Sequence, residues 1–174
     1  IRPLLFKLEA ERAHQIAAFS MRILGKTSPL RGLVAYYCQT KSSPVRLFGL
    51  DFPNPVGLAA GMDKNGEFIK SAFALGFGHV EIGTITPQRQ LGNARPRLFR
   101  YPSVNGIVNR MGFNNDGAEI VADRIKRNYP KGKRNAPLGI NIGKAKTTDL
   151  DQAAEDYITC FKIVAEHADY IAIN

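Results

Sequence analysis

Four polar residues, Lys64, Thr84, Asn141 and Asn174, fall at or just beyond the C-terminal ends of successive predicted strands. In parallel sheets and barrels that rim is where ligands bind, so four polar groups converging on it make a candidate site. Asn and Thr also end strands for purely local hydrogen-bonding reasons, which is the competing reading. The stretch Asn54–Glu67 sharpens the choice. Gly57, Ala59, Ala60 and Gly61 are small enough for a large flat group to lie against the backbone, and Lys64 follows at the strand end. The bland alternative is a tight strand-to-helix turn with a solvated lysine.

The elements that must position these residues are legible from periodicity. Two helices are expected first. One spans roughly 8–24, with Ile16, Phe19 and Ile23 on one face and Gly25 as its stop. The other starts at Ser28–Pro29, with Leu30, Leu33, Val34 and Tyr37 at helical spacing. Residues 45–52 read as a short hairpin. After it come a strand over 56–60, a helix over 67–75, a strand at His79–Ile82 and an irregular insertion over 87–109 with hairpin-like pieces at 97–101 and 106–108. Asp116 with Glu119 resembles a capping box for a helix through Arg127, and Thr148 is the expected cap of a long amphipathic helix. Strands at Leu138–Ile142 and Tyr170–Ile173 complete a βαβ(insertion)αβαβ order. That alternation predicts an α/β protein with a parallel sheet and right-handed crossovers.

Composition bounds the function classes. With 44% hydrophobic and 22% charged residues, the chain has the make-up of an ordinary globular domain. No apolar run is long enough to span a bilayer. Two distant cysteines, Cys38 and Cys160, and three scattered histidines, His14, His79 and His167, match no disulfide framework, metal site or catalytic triad, so no metal is expected. No GxGxxG or Walker-A loop is present. The net charge of +9 is concentrated early: residues 1–48 hold eight Lys/Arg against two Asp/Glu. A basic helical pair with interleaved apolar residues is the composition of a membrane-surface element; two helices packed on the main domain with arginines facing water is the other reading.

Five motifs in order carry a family resemblance. They are Asn54–Glu67, Glu81–Pro87 (EIGTITP), Gly92–Arg100 (GNARPRLFR), Val108–Asn115 (VNRMGFNN) and Gly139–Lys144 (GINIGK). Together they closely resemble dihydroorotate dehydrogenases, and the N-terminal pair with Glu11-Arg-Ala-His14 is similar to the membrane-associated, quinone-using class 2 rather than the soluble class 1. The resemblance implies a (β/α)8 TIM barrel preceded by a small N-terminal helical pair, with residues 1–40 as the membrane and quinone-tunnel segment and 41–174 as the first half of the barrel. It implies FMN at the C-terminal rim, bound by Ala60, Gly61, Lys64, Thr84, Asn141 and Asn174. Lys64, Asn109, Arg110, Met111, Gly112, Phe113 and Asn174 are the implied substrate-binding residues, and His14 and Arg100 line the implied quinone tunnel.

The implied reaction is oxidation of dihydroorotate to orotate in pyrimidine synthesis, with electrons passed to ubiquinone or menaquinone. The implied setting is the cytoplasmic side of a bacterial inner membrane, or alternatively a mitochondrial inner membrane, with no nucleic-acid partner. A soluble enzyme using fumarate or NAD is the rival reading, and a non-enzymatic basic binding module the remote one. In the family the catalytic base follows the fourth strand, so none is assigned within this chain. A whole barrel takes roughly 250 residues. The expectation is therefore that this chain is one piece of a longer protein whose second half is its partner.

Overall fold

The computed structural model describes residues 2–39 and 43–174, so the expected boundary between residues 40 and 41 lies outside the described residues. Three helices come first: α1 (Arg2–Leu5), α2 (Ala10–Lys26) and α3 (Ser28–Tyr37). A hairpin of β1 (Val45–Leu47) and β2 (Leu50–Phe52) follows. The body then runs β3 (Gly57–Leu58), α4 (Ile69–Ala74), β4 (His79–Ile85), β5 (Leu98–Tyr101), β6 (Gly106–Asn109), α5 (Ala118–Asn128), β7 (Leu138–Ile142), α6 (Ala153–Val164) and β8 (Tyr170–Ile173).

β3, β4, β7 and β8 form one parallel sheet in that order, as expected from the βαβ alternation. Each strand presents alternate residues to opposite faces. Val80, Ile82 and Ile85 of β4 and Leu138, Ile140 and Ile142 of β7 are fully buried. They pack against Ile69 and Ala72 of α4, Val121, Ala122 and Ile125 of α5, and Cys160 and Val164 of α6. Burial pushes the Cys160 thiol up to about 12, so it behaves as a core residue. β5 and β6 pair antiparallel as a separate hairpin, at the two hairpin-like pieces expected within the insertion.

Several element ends differ from expectation, each for a tertiary reason. Gly25 does not stop α2. It lies inside the helix because α4 crosses there: a Cβ on Gly25 would meet Ser71 Oγ at 3.0 Å, and that hydroxyl donates to the Met21 carbonyl. The helix ends instead at Thr27, whose backbone is extended and whose N–H and hydroxyl both donate to the Ile23 carbonyl. Asp116 does not cap α5. Its carboxylate accepts from Arg124 at 2.8 Å, and Gly117 is the residue before the helix. Thr148 does not cap α6, which begins at Ala153 after a looser turn. β3 is only two residues long, and beyond it the chain stays bonded to β4 through the Gly61 N–H and the Gly83 carbonyl at a turn where the Gly61 φ is +104°.

One buried ion pair fastens the N-terminal helices to the body. Glu11 and Arg97 are both buried. The Arg97 Nη2 donates to Glu11 at 2.9 Å, while its Nη1 donates to the Leu91 and Asn93 carbonyls at 2.7 and 3.0 Å. Arg95 adds a second cation 3.1 Å from Glu11. Hydrogen bonds from Arg97 hold the Glu11 carboxyl below its ordinary value of 4.5 despite its burial. The stability it contributes is therefore present above pH 4.5 and is lost as pH falls through the lowered value. Glu11→Ala strands Arg97 and is expected to cost about 3 kcal/mol at pH 7 in urea unfolding. The same substitution should flatten the fall in stability on the acid side of that range.

Candidate functional site

A cleft of about 470 Å³ opens at the C-terminal ends of β3 and β4, between α2 and the loop that follows β6. Its floor is Ala60–Gly61, and the turn there is pinned by the Gly61 N–H donating to the Gly83 carbonyl at 2.8 Å. The positive φ of Gly61 suits a residue without Cβ, and a Cβ there would have nothing nearer than the Lys64 Nζ at 4.0 Å. The floor is therefore open backbone. Lys64 bends back over it and donates to the Gly61 carbonyl at 2.8 Å. Burial, and then the charge of Arg97, hold the Lys64 ammonium below the ordinary lysine value. His14 of α2 lines the same cleft; burial, followed by the charge of Lys64, lowers it as well.

Asp63 is the residue that builds this turn. It is fully buried, and its two carboxylate oxygens accept the N–H groups of Glu67 at 2.8 Å and Phe68 at 2.9 Å. Its position ahead of α4 lets it satisfy donors that the helix start leaves open. Burial nonetheless raises its carboxyl above the ordinary value.

The opposite wall is the loop after β6. Gly112 and Phe113 both have positive φ, +73° and +51°, which is uncommon for a bulky residue. The loop is held from several sides. Gln90 Nε2 donates to the Gly112 and Phe113 carbonyls at 3.0 and 3.2 Å, Asn115 Nδ2 donates to the Phe113 carbonyl at 2.7 Å, and Asn93 Nδ2 donates to the Arg110 carbonyl at 2.8 Å. These three side chains present Asn109, Met111, Gly112 and Phe113 to the cleft.

The inner face of the sheet supplies the remaining groups. Thr84 Oγ1 donates to Asn141 Oδ1 at 2.6 Å, and Asn174 Nδ2 donates to both at 3.2 Å. Asn141 Nδ2 in turn donates to Glu81 at 3.1 Å, and the Tyr170 hydroxyl donates to Glu81 at 3.3 Å. Thr84 and Asn174 reach the cleft, with Asn141 beneath them.

Ten of the expected residues thus share one cleft: His14, Ala60, Gly61, Lys64, Thr84, Asn109, Met111, Gly112, Phe113 and Asn174. Asn141 joins through its bond to Thr84. Two lie elsewhere. Arg110 points back to the Pro96 carbonyl at 3.0 Å. Arg100 occupies a separate groove, donating to the Leu5 and Leu8 carbonyls at 3.2 and 3.0 Å with its guanidinium 4.7 Å from the Phe6 ring centroid. Residue reading passed over Asp63, Glu81, Gln90 and Tyr170. Glu81 alone carried a signal: it alternates with buried Val80 and Ile82, so a charged residue had to face inward. Among the described residues no group of three His, Cys, Asp or Glu side chains could hold a metal ion.

A parallel sheet with a small-residue floor, a half-buried lysine and an amide cluster at its C-terminal rim has the layout of a small-molecule site of a parallel α/β protein. The family described as dihydroorotate dehydrogenase matches residues 43–174. The chain belongs to the dihydroorotate dehydrogenase family. It is 49% identical, over its whole length, to a dihydroorotate dehydrogenase (quinone) of Cellvibrio japonicus, and 52% identical over 173 residues to one of Stenotrophomonas maltophilia. It covers 49% and 48% of those two proteins, so the chain spans about half the length of the curated relatives it matches. Among solved structures, that of the Eimeria tenella enzyme in complex with ferulenol superimposes with a TM-score of 0.75 at 37% identity, over 94% of this chain and 43% of that one. The fold is accordingly four strands of a (β/α)8 barrel with N-terminal helices in front of it.

Gly139 makes the inner network possible, because a Cβ there would run into the Tyr170 ring. Gly139→Ala is expected to displace that ring from Glu81 and to cost about 1–3 kcal/mol by overpacking, read as a lowered thermal midpoint.

Proposed function

We propose that this chain is the first half of an FMN-dependent dihydroorotate dehydrogenase that passes electrons to a membrane quinone. The observation that carries this reading is the convergence of Lys64, Asn109 and Asn174 on one cleft above the open Ala60–Gly61 floor. The cleft suits a flavin: the floor itself carries no side chain larger than the Ala60 methyl, the rim offers hydroxyl and amide groups, and the volume is in the range of small-molecule sites. Ala60, Gly61, Lys64, Thr84, Asn141 and Asn174 hold it in this reading. When bound, FMN supplies the acceptor of two electrons.

The chain's own residues do the rest. Lys64 offers a fixed positive charge on the floor side, suited both to a substrate carboxylate and to an electron-rich ring. Asn109 and Asn174 can satisfy the ring amides of a dihydropyrimidine, each having a donor and an acceptor end. Phe113 walls the cleft and excludes water. The catalytic base belongs to the other half of the protein.

The quinone step is supported by the names of the relatives and by the N-terminal helices. α2 and α3 expose Phe19, Ile23, Leu33 and Tyr37 beside Arg12 and Lys26. Such a face rests on a bilayer surface with its cations at the headgroups. No described helix is long and apolar enough to cross a membrane. We place the protein on the cytoplasmic face of a bacterial inner membrane, in keeping with its bacterial relatives. The second half of the barrel covers the apolar side chains left open around β8 and α6, where Ile158, Phe161 and Ile173 are at least half exposed.

An anaerobic titration of the complete protein with dihydroorotate tests the reaction. The flavin absorbance should bleach and return with a ubiquinone analogue, whereas return with fumarate or NAD alone would replace the quinone reading. Lys64→Met should lower kcat/KM for dihydroorotate about 100-fold, since it removes a half-buried charge-assisted contact. Phe19→Glu with Leu33→Glu should abolish co-flotation with liposomes while leaving flavin content unchanged; unaltered flotation would remove the membrane assignment.

A further inference from the structure

Glu81 has no place in the proposed chemistry, yet every polar group beneath the cleft is connected to it. It stands on the inner face of β4, level with Gly139 of β7 and Tyr170 of β8 across the sheet. The Tyr170 ring crosses the space left by Gly139 to reach it. Its two carboxylate oxygens accept one hydrogen bond each, from Asn141 Nδ2 and from the Tyr170 hydroxyl.

We propose that Glu81 is a positioning residue for the flavin site: as an acceptor that cannot donate, it sets which way the Asn141 amide faces and, through it, the polarity of Thr84 and Asn174. This rests on the flavin reading above. The argument is one of hydrogen-bond direction. An ionised carboxylate only accepts, so Asn141 must turn its Nδ2 toward Glu81. Its Oδ1 then faces the rim, where it accepts the Thr84 proton at 2.6 Å and one Asn174 proton at 3.2 Å. Having given its only proton to Asn141, Thr84 meets Asn174 as an acceptor. The Asn174 Nδ2 is thereby held inward and its Oδ1 is left for the cleft. Were Asn141 to flip, its Nδ2 would oppose the Asn174 Nδ2, donor against donor. Tyr170 cannot reverse the order from the other side, because burial and then the Glu81 charge keep its hydroxyl protonated.

The affinity of the complete apoprotein for FMN, followed by quenching of flavin fluorescence, tests this independently of turnover. Glu81→Gln keeps an acceptor for Asn141 and gives its amide N–H to a tyrosine hydroxyl that can rotate to accept; Kd should stay within about threefold of the parent. Asn141→Asp sets carboxylate against carboxylate and should weaken binding about tenfold or more. Combining E81Q with N141D restores a donor–acceptor pair and should recover most of that loss, the non-additivity measuring the coupling. Equal losses in N141D and the double variant, or no loss in N141D, overturn the assignment. If both variants carrying N141D fail to fold, Glu81→Met serves instead: it removes the acceptor at similar volume and should weaken FMN binding about tenfold where E81Q does not. Affinity in E81M within about threefold of the parent overturns the assignment. A purely structural Glu81 would lower the apoprotein's thermal midpoint in these variants without moving FMN affinity in this pattern. A parent protein that takes up no FMN overturns the flavin reading and this inference together, and is recognised before any substitution is made.

Discussion

The two-residue alternation of a parallel strand is the constraint on which the rest of this structure depends. On β4 and β7 one set of side chains, Val80, Ile82, Leu138, Ile140 and Ile142, goes to the helices and is fully buried. The other set, Glu81, Gly139 and Asn141, is thereby committed to the inner face. A one-residue slip would bury the polar set against α4, α5 and α6 and put the isoleucines at the rim. Hydrophobic burial therefore fixes the register, and the register delivers the functional groups. The irregularity between Ile82 and Ile85 adjusts this at the rim: both residues stay in the core while Thr84 comes inward to Asn141 and Asn174.

The N-terminal helices contribute to the site because they are fastened to the insertion as well as to α4. The Glu11–Arg97 pair does this with almost complete burial, and Arg97 spends its remaining donors on the Leu91 and Asn93 carbonyls. A buried pair of this kind adds little over well-packed apolar residues, but breaking it is costly because one charge is left alone. Its value is geometric: it brings His14 of α2 and the Asn109–Phe113 loop to the same cleft. Arg97 also reaches Lys64 electrostatically, joining burial in lowering the ammonium, while Glu11 acts in the opposite direction. The clamp and the site lysine are thus coupled, so the charge state of the clamp is felt in the cleft.

Much of the fold was legible because strands and helices of this type carry their own periodicity. Leu138–Ile142 and Tyr170–Ile173 have the same bounds in the structure as in the pattern of short apolar runs. Other element ends differ, since Gly25, Asp116 and Thr148 do not serve as the local caps their types suggest. Gly25 is occupied by a helix crossing, and Asp116 by Arg124. Local propensity is a weak prior at such positions, and tertiary contact overrides it.

By itself the sequence determined the order of elements, the parallel sheet and the family, because five motifs and an alternating pattern are properties of the chain alone. It also put Lys64, Thr84, Asn141 and Asn174 toward one rim, since each lies close to or beyond the C-terminal end of a strand. Only the tertiary structure decided which of the expected residues meet. Arg100 and Arg110 turn to backbone carbonyls outside the cleft. Asp63, Gln90 and Glu81 emerge as the side chains that hold the cleft together. The physical reason is that these roles consist largely of hydrogen bonds across the fold, such as that between Glu81 and Asn141, 60 positions apart. No local pattern encodes such a bond; it exists only once packing has brought the strands into register.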